Sequence, residues 1–280
     1  MTPPPPPEPR EVARAALFFV LTFGSASVAY RYGFGEFGWM GAFSFAGGLM
    51  SVLLAHEMGH YLVARRHGFD VSLPIFIPFP SLFGTAGAVI RLRTPPTTRQ
   101  GLLEMAAAGP LAGALVATLL LVLSLAQVRT GVDIPVGTEI GIFNDPLLVK
   151  LLGTLINGVP PGRYDTYPPL AWAGWVGCFL TGMNLIPIGQ LDGGHVLNAL
   201  VGRHARRTSL VVAVIVAAGG VVWTGWLVWV LLLLIMRANL PLPLPEGSLP
   251  IRARLVAVAI LVLFVLTFIP VPMETEVYGG

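Results

Sequence analysis

Charged side chains are scarce: Asp, Glu, Lys and Arg make up 11% of the 280 residues, against about 25% in an ordinary soluble domain. Hydrophobic residues reach 55% and the mean hydropathy is +0.77. A soluble fold of this length would lack polar surface, so most apolar side chains must face lipid or other helices. Cysteine is nearly absent as well. Cys178 alone excludes an internal disulfide, and its apolar surroundings predict a buried structural thiol. The net charge of +3 and pI near 9.3 come with no basic stripe or aromatic nucleic-acid motif, which excludes nucleic acid as a partner. The arginines sit instead at the ends of apolar runs, as topogenic charges do. Also lacking are an internal repeat, an appended soluble domain, a secretory signal and the Ser- and Arg-rich bias of a transit peptide. The expectation is an integral protein of a prokaryotic cytoplasmic membrane.

What is present is a series of long apolar runs. A helix needs about 20 such residues to cross the hydrocarbon core. The runs predict an all-α polytopic membrane protein of about six transmembrane helices, at roughly 13–31, 38–64, 101–127, 170–189, 208–236 and 253–270. Residues 1–12 read as a disordered proline-rich tail, and 13–280 as one integral membrane domain with C-terminal helices over about 208–270. Gly219-Gly220 divides the fifth run, which is expected to be one tilted helix rather than a hairpin. With a cytoplasmic N-terminus and six spans, ten of the seventeen basic residues fall on the cytoplasmic side; a hairpin would make that thirteen. Residues 67–100 are broken by proline and rich in β-branched and aromatic residues, which predicts a short membrane-associated β region or re-entrant loop at the cytoplasmic face. Residues 129–169 read as an external loop.

Chemistry enters in the second span with His56-Glu57-Met58-Gly59-His60. Residues four apart share a helix face about 6 Å apart along the axis, so two imidazoles can hold one zinc ion. Zinc lowers the pKa of a bound water towards about 7, and the adjacent carboxylate of Glu57 can take its proton. Arg65 and Arg66 mark the cytoplasmic end of this span, which puts the motif roughly 8–15 Å below that surface. Ionisable groups at such depth are costly and usually functional.

Two histidines and a water leave one zinc ligand missing. The fourth span ends in Asn184-Leu-Ile-Pro187-Ile-Gly-Gln-Leu-Asp192-Gly193-Gly194-His195, a stretch too polar for lipid. Asp192 is the candidate third ligand, because a carboxylate also offsets the metal's charge in a low-dielectric site. Pro187 frees backbone carbonyls that could bind an extended peptide. His195 is a candidate to orient a ligand, Glu104 to favour a helix N-terminus, and Gly109, Pro110 and Gly113 to permit close helix packing.

HEMGH and NLIPIGQLDGG, on separate spans, resemble the site-2 protease family of intramembrane zinc metalloproteases, in a compact form without a PDZ domain. The likeness extends to GTAGAVIRLR, to AAAGPLAG at 106–113 and to AGWVGCFLTGMN, covering roughly residues 45–202. It implies a three-helix catalytic core (about 38–202) with His56, His60 and Asp192 as ligands of one zinc ion per chain. Glu57 would be the catalytic acid/base, and Asn184 would hold substrate or the developing oxyanion. Asn184, Pro187 and Gly87 of the strand region would contact substrate. The implied reaction is regulated intramembrane proteolysis, with single-span membrane proteins as substrates and partners. Two rivals are weaker. A zinc enzyme trimming lipid-modified peptides should take its third ligand from a glutamate on a later helix. A structural zinc site would prefer four protein ligands and would not need Glu57.

Overall fold

The computed structural model describes residues 5–34, 37–130, 135–235 and 248–279. Helix α1 (Pro9–Gly33) opens on a proline, whose missing N–H costs nothing in a first turn. Helix α2 (Gly38–Arg66) ends on Arg65 and Arg66, which complement the negative end of its dipole. Helix α3 (Arg99–Ser124) is capped by Thr98, whose Oγ1 accepts the Gly101 N–H at 3.1 Å. After α4 (Leu147–Asn157) and α5 (Pro169–Asn184), the chain continues through α6 (Asp192–Val201), α7 (Ala205–Ala218), α8 (Gly225–Ile235) and α9 (Ile251–Thr267). Among the described residues four helical segments are long and apolar enough to cross a membrane: Pro9–Gly33, Gly38–Arg66, Arg99–Gln127 and Asp192–Val221.

Helix α2 is central, packed along α3 on one side with α1 and α5 on others. Between lipid-borne helices there is little hydrophobic driving force, so close van der Waals fit must hold them. Small residues supply it: a Cβ on Gly48 would meet Ala173 at 2.8 Å, and one on Gly177 would meet Val52 at 2.9 Å.

Strands β1 (Ile75–Pro78) and β2 (Thr85–Val89) form the expected short β region, an antiparallel hairpin with Phe76 opposite Ala88. Pro78 pairs with Thr85, so β2 carries an extra residue there, and Gly87 takes the φ of +92° that this bulge requires. The hairpin does not stay at a helix end; it runs along α1. At its base the Leu73 N–H donates to Glu11 Oε1 at 2.7 Å, and Arg93 Nη2 pairs with Glu11 Oε2 at 2.8 Å. Phe76 meets Phe19 edge to face, and Gly84 at the turn sits on the backbone of Ser25 and Ala26. From Glu11 to Ala26 is about 22 Å of helix. Of the two sequence expectations, the short β region is the one this hairpin matches.

Four other expectations are corrected. The predicted 170–189 span is the 16-residue α5, which stops at Asn184; a turn follows, and the long apolar segment starts at Asp192. The 208–236 run is not one helix. Gly220 packs on Leu227 and Gly219 on Trp226, pairs that would stand about 10 Å apart along a straight helix, so the chain bends sharply between α7 and α8. Its last residue, 236, lies outside the described residues. The 129–169 loop contains α4 and a strand β3 (Glu139–Phe143), which pairs antiparallel with β4 (Met273–Val277) near the far end of the chain. The tail is shorter than expected, since α1 begins at Pro9, and Arg65 Nη1 donates to the Pro5 carbonyl at 2.9 Å.

Candidate active site

His56 and His60 project from one face of α2, and both are buried among α2, α3 and the start of α6. Their Nε2 atoms lie 3.1 Å apart. Asp192, the first residue of α6, brings Oδ2 to 3.1 Å from His56 Nε2 and Oδ1 to 3.2 Å from His60 Nε2. Tetrahedral zinc with bonds of about 2.0–2.1 Å separates its ligand atoms by about 3.3 Å, close to this spacing.

Hydrogen bonding decides the tautomer. His60 Nδ1 lies 2.8 Å from the Met105 carbonyl oxygen. A carbonyl only accepts, so Nδ1 carries the proton and Nε2 presents a lone pair. Among the described residues the buried Asp192 Oδ2 makes no well-formed hydrogen bond, although it lies 3.1 Å from His56 Nε2. A buried carboxylate whose two oxygens face two imidazole nitrogens is unfavourable without a cation and favourable with one. The three residues could hold one metal ion.

Asp192 reaches this point because the α5–α6 turn is tightly closed. Gly193 packs against the carbonyl of Leu185, and Gly194 against the backbone of Ile188 and Gly189, where any Cβ would collide. Asn184 and Asp192 flank that contact by one residue each, so the last residue of α5 and the first of α6 meet at one end. The Gly189 N–H donates to Ser209 Oγ at 3.0 Å, anchoring the turn to α7. Asn184 is half-buried, and its amide makes no hydrogen bond among the described residues. Pro187 is half-buried within the turn.

Glu57 is buried beside both histidines, and its carboxylate faces the backbone N–H of Ile90, just past β2. Gly87 is three residues upstream, about 10 Å along the strand, so it belongs to the hairpin edge rather than to the His–Asp cluster. His195 is half-buried one turn from Asp192. Glu104 does not serve mainly as a helix-end charge. It takes His67 Nε2 at 2.8 Å and Gln100 Nε2 at 2.8 Å, clasping α2 to α3.

Sequence reasoning missed the Met105 carbonyl and the Ile90 amide, because backbone groups carry no sequence label. Pro110 does not mark the first either, because its missing N–H frees the Ala106 carbonyl and not that of Met105. Gly109 and Gly113, expected only to ease packing, lie directly on the ligands: a Cβ on Gly109 would collide with the His60 ring, and one on Gly113 would meet His56 Cβ at 3.1 Å.

This pairing of a two-histidine helix face with a carboxylate on a distant element matches a known family. The model of peptidase family M50 aligns with residues 44–227, spanning both motifs. The chain belongs to peptidase family M50. The site-2 protease resemblance drawn from the motifs therefore stands. Curated relatives include the probable zinc metalloprotease EGY2, chloroplastic, of Arabidopsis thaliana, 34% identical over 154 residues, covering 54% of this chain and 27% of that protein. EGY1 of Arabidopsis thaliana is 31% identical over 168 residues, covering 59% of this chain and 30% of that protein. The probable zinc metallopeptidase EGY3 of the same plant is 26% identical over 198 residues, covering 64% and 34%. The chain thus spans about a third of the length of these relatives. No solved structure matches it. Family and relatives support a zinc metalloprotease whose single ion His56, His60 and Asp192 could bind. The relatives are chloroplast proteins by name, whereas the composition suggested a prokaryotic cytoplasmic membrane. The integral-membrane character is common ground between family and helices.

Proposed function

We propose that this M50 protein hydrolyses a peptide bond within or next to a transmembrane segment of a single-span, membrane-anchored substrate. The observation that carries the reading is the convergence of His56, His60 and Asp192 beside the buried Glu57, between helices long enough to cross a bilayer. Zinc held there would act as a Lewis acid towards a carbonyl and lower the pKa of a bound water. Glu57 accepts the proton from the attacking water and passes it to the leaving amide nitrogen, a transfer worth about 10²–10⁴-fold. The Asn184 amide donates to the developing oxyanion, where one such donor contributes about 3 kcal/mol elsewhere. Among the described residues nothing else hydrogen-bonds its amide, which leaves it available for that role. A substrate helix must unwind first, because its carbonyls are engaged within the helix. The β1–β2 hairpin supports that step, since a two-stranded sheet lying along α1 offers an edge to which an extended segment can add. Gly87, at its bulge, and Pro187, in the α5–α6 turn, line the proposed path of that segment. The site sits 6 to 10 residues before the Arg65–Arg66 end of α2, so the arginine-rich, cytoplasmic side is its proposed water entry. A prokaryotic cytoplasmic membrane is the proposed location, and regulated intramembrane proteolysis the proposed role.

The test is cleavage of a panel of single-span model substrates by wild type and Glu57→Gln in detergent. Cleavage by wild type, reduced at least about 100-fold in the variant, is the expected result. Equal cleavage by both would remove Glu57 from the reaction and overturn the mechanism.

A further inference from the structure

At the end of α2 opposite the metal centre lies a second concave site that the hydrolytic chemistry does not use. A cavity of about 630 Å³ opens between the end of α1, β3 and the start of α5. From His60 back to Gly38 is about 33 Å of helix, so the cavity is remote from the His–Asp cluster.

One wall of it is a strand edge. A cavity under a sheet face meets alternate residues, because successive side chains point to opposite faces. This one meets all of β3, Glu139–Phe143, and among the described residues Met273 alone from β4, so it runs along the β3 edge turned away from β4. The ladder fixes which backbone groups lie there. The Tyr278 N–H donates to the Thr138 carbonyl at 2.9 Å, and the Asn144 N–H to the Pro272 carbonyl at 3.0 Å. Even-numbered residues of β3 therefore bond to β4, while Glu139, Gly141 and Phe143 turn their N–H and C=O groups the other way. Among the described residues no strand pairs with that edge. Glu139 and Gly141 are exposed, and a Cβ on Gly141 would meet nothing within 4 Å. An unpaired edge of this kind is a template for another strand.

The rest of the lining sets which strand fits. The Trp172 ring stands 4.9 Å from Phe34 and 4.8 Å from Phe143, at interplanar angles of 48° and 81°. Rings set at such angles make a seat for one apolar or aromatic side chain. Arg163, the basic side chain in the lining, is held by Glu274 at 3.0 Å and Glu276 at 2.6 Å. Glu139 and Asp165, also in the lining, have no ion pair among the described residues. The surplus charge is acidic and disfavours an acidic segment.

We propose that the β3 edge binds, by strand addition, an extended segment that flanks the substrate's transmembrane helix on the side away from the metal centre. The identity of that segment rests on the single-span reading above. A substrate helix with its scissile bond at the His–Asp cluster brings residues about 22 positions away to the level of the cavity. The segment pairs its backbone with Glu139, Gly141 and Phe143, seats an apolar side chain against Trp172 and Phe34, and lacks acidic residues. Selection of substrate thus takes place far from the bond that is cut.

Two measurements test this. In the first, a fluorescent hexapeptide, Lys-Thr-Phe-Thr-Val-Thr, is titrated with full-length protein in detergent and followed by anisotropy. Two further versions carry N-methyl groups on alternate residues, one set for each edge of the extended peptide. Saturable binding to wild type and to Glu57→Gln is expected, weakened about tenfold or more by one N-methyl set and not by the other. Gly141→Pro should weaken it similarly, because the ring removes an outward N–H and no bond to β4. No saturable binding, or equal binding of both N-methylated versions, would overturn the proposal; both comparisons use the wild-type protein, so a poorly folded Gly141→Pro cannot obscure them. In the second, a model substrate that wild type cleaves has its non-cytoplasmic flank replaced by alternating Gly and Asp. KM should rise about tenfold with kcat unchanged, and an unchanged KM would overturn the choice of occupant. Peptide binding without cleavage of any substrate would support the edge and count against the protease reading, whereas cleavage without peptide binding would do the reverse.

Discussion

Adding one methyl group to α3 should disable the metal centre without touching a ligand. A Cβ on Gly109 would collide with three atoms of the His60 ring, all far inside van der Waals contact. The ring cannot swing aside cheaply, because its Nδ1 is held by the Met105 carbonyl at 2.8 Å and its Nε2 faces Asp192 at 3.2 Å. Relief therefore requires α2 and α3 to separate by about 1 Å or the imidazole to leave its position. Overpacking of this kind costs about 1–3 kcal/mol in stability, and a displaced ligand or its hydrogen-bond partner costs about 10–100-fold in metal affinity. Zinc competition against a chelator on purified Gly109→Ala should show that loss. Two controls grade the effect. At Gly113 the new Cβ would meet His56 at 3.1 Å, which shifts of a few tenths of an ångström relieve, so Gly113→Ala should lose less. At Gly24 nothing lies within 4 Å, and Ala there should be neutral or slightly stabilising. Wild-type zinc affinity in Gly109→Ala would refute the claim that α3 forms the floor of the site.

Asp145 should set a pH dependence of stability. Burial pushes its carboxyl up to about 6 from an ordinary 3.8, despite the Tyr167 hydrogen bond. A folded-state value above the unfolded one gives a contribution that is full below pH 4 and lost as pH rises through 6, here about 3 kcal/mol. Asp145→Asn should therefore raise the thermal midpoint relative to wild type at pH 7.5 and leave it unchanged at pH 4. A gain of equal size at both pH values would contradict this. Glu11→Ala removes the acceptor of both the Leu73 N–H and Arg93, and should cost about 2 kcal/mol and loosen the hairpin base. Faster proteolysis in the 70–95 segment would report that loosening, and an unchanged cleavage pattern would speak against it. Cys178, fully buried, should resist maleimide until the protein is denatured.

The metal centre was legible because helical geometry fixes it: residues four apart must share a face, and a lone aspartate in an apolar stretch is hard to explain otherwise. The α2, α3 and α9 segments were legible from length and apolarity alone. What was not legible depended on distant parts of the chain. The hairpin's path along α1 rests on Glu11 meeting Leu73 and Arg93, and on Gly84 fitting against Ser25 and Ala26. Neither contact leaves a periodic trace. The pairing of β3 with β4 joins residues 130 or more positions apart. The sharp bend at Gly219-Gly220 looked like helix because apolar composition in a bilayer masks the polar breaks that mark turns in water. Helix packing around His60 hid in the same way: Gly109 reads as a small residue until the ring beside it is seen. The cavity lined by Phe34, Phe143, Tyr167 and Trp172 draws on separate stretches of the chain, and no single segment announces it.

The most direct test of the metal centre is the zinc content of freshly purified protein, measured for wild type, Glu57→Gln and His56→Ala. The geometry predicts close to one zinc per chain in wild type and in Glu57→Gln, where all three ligands remain, and none in His56→Ala. Wild type without zinc, or His56→Ala with a full complement, would contradict it.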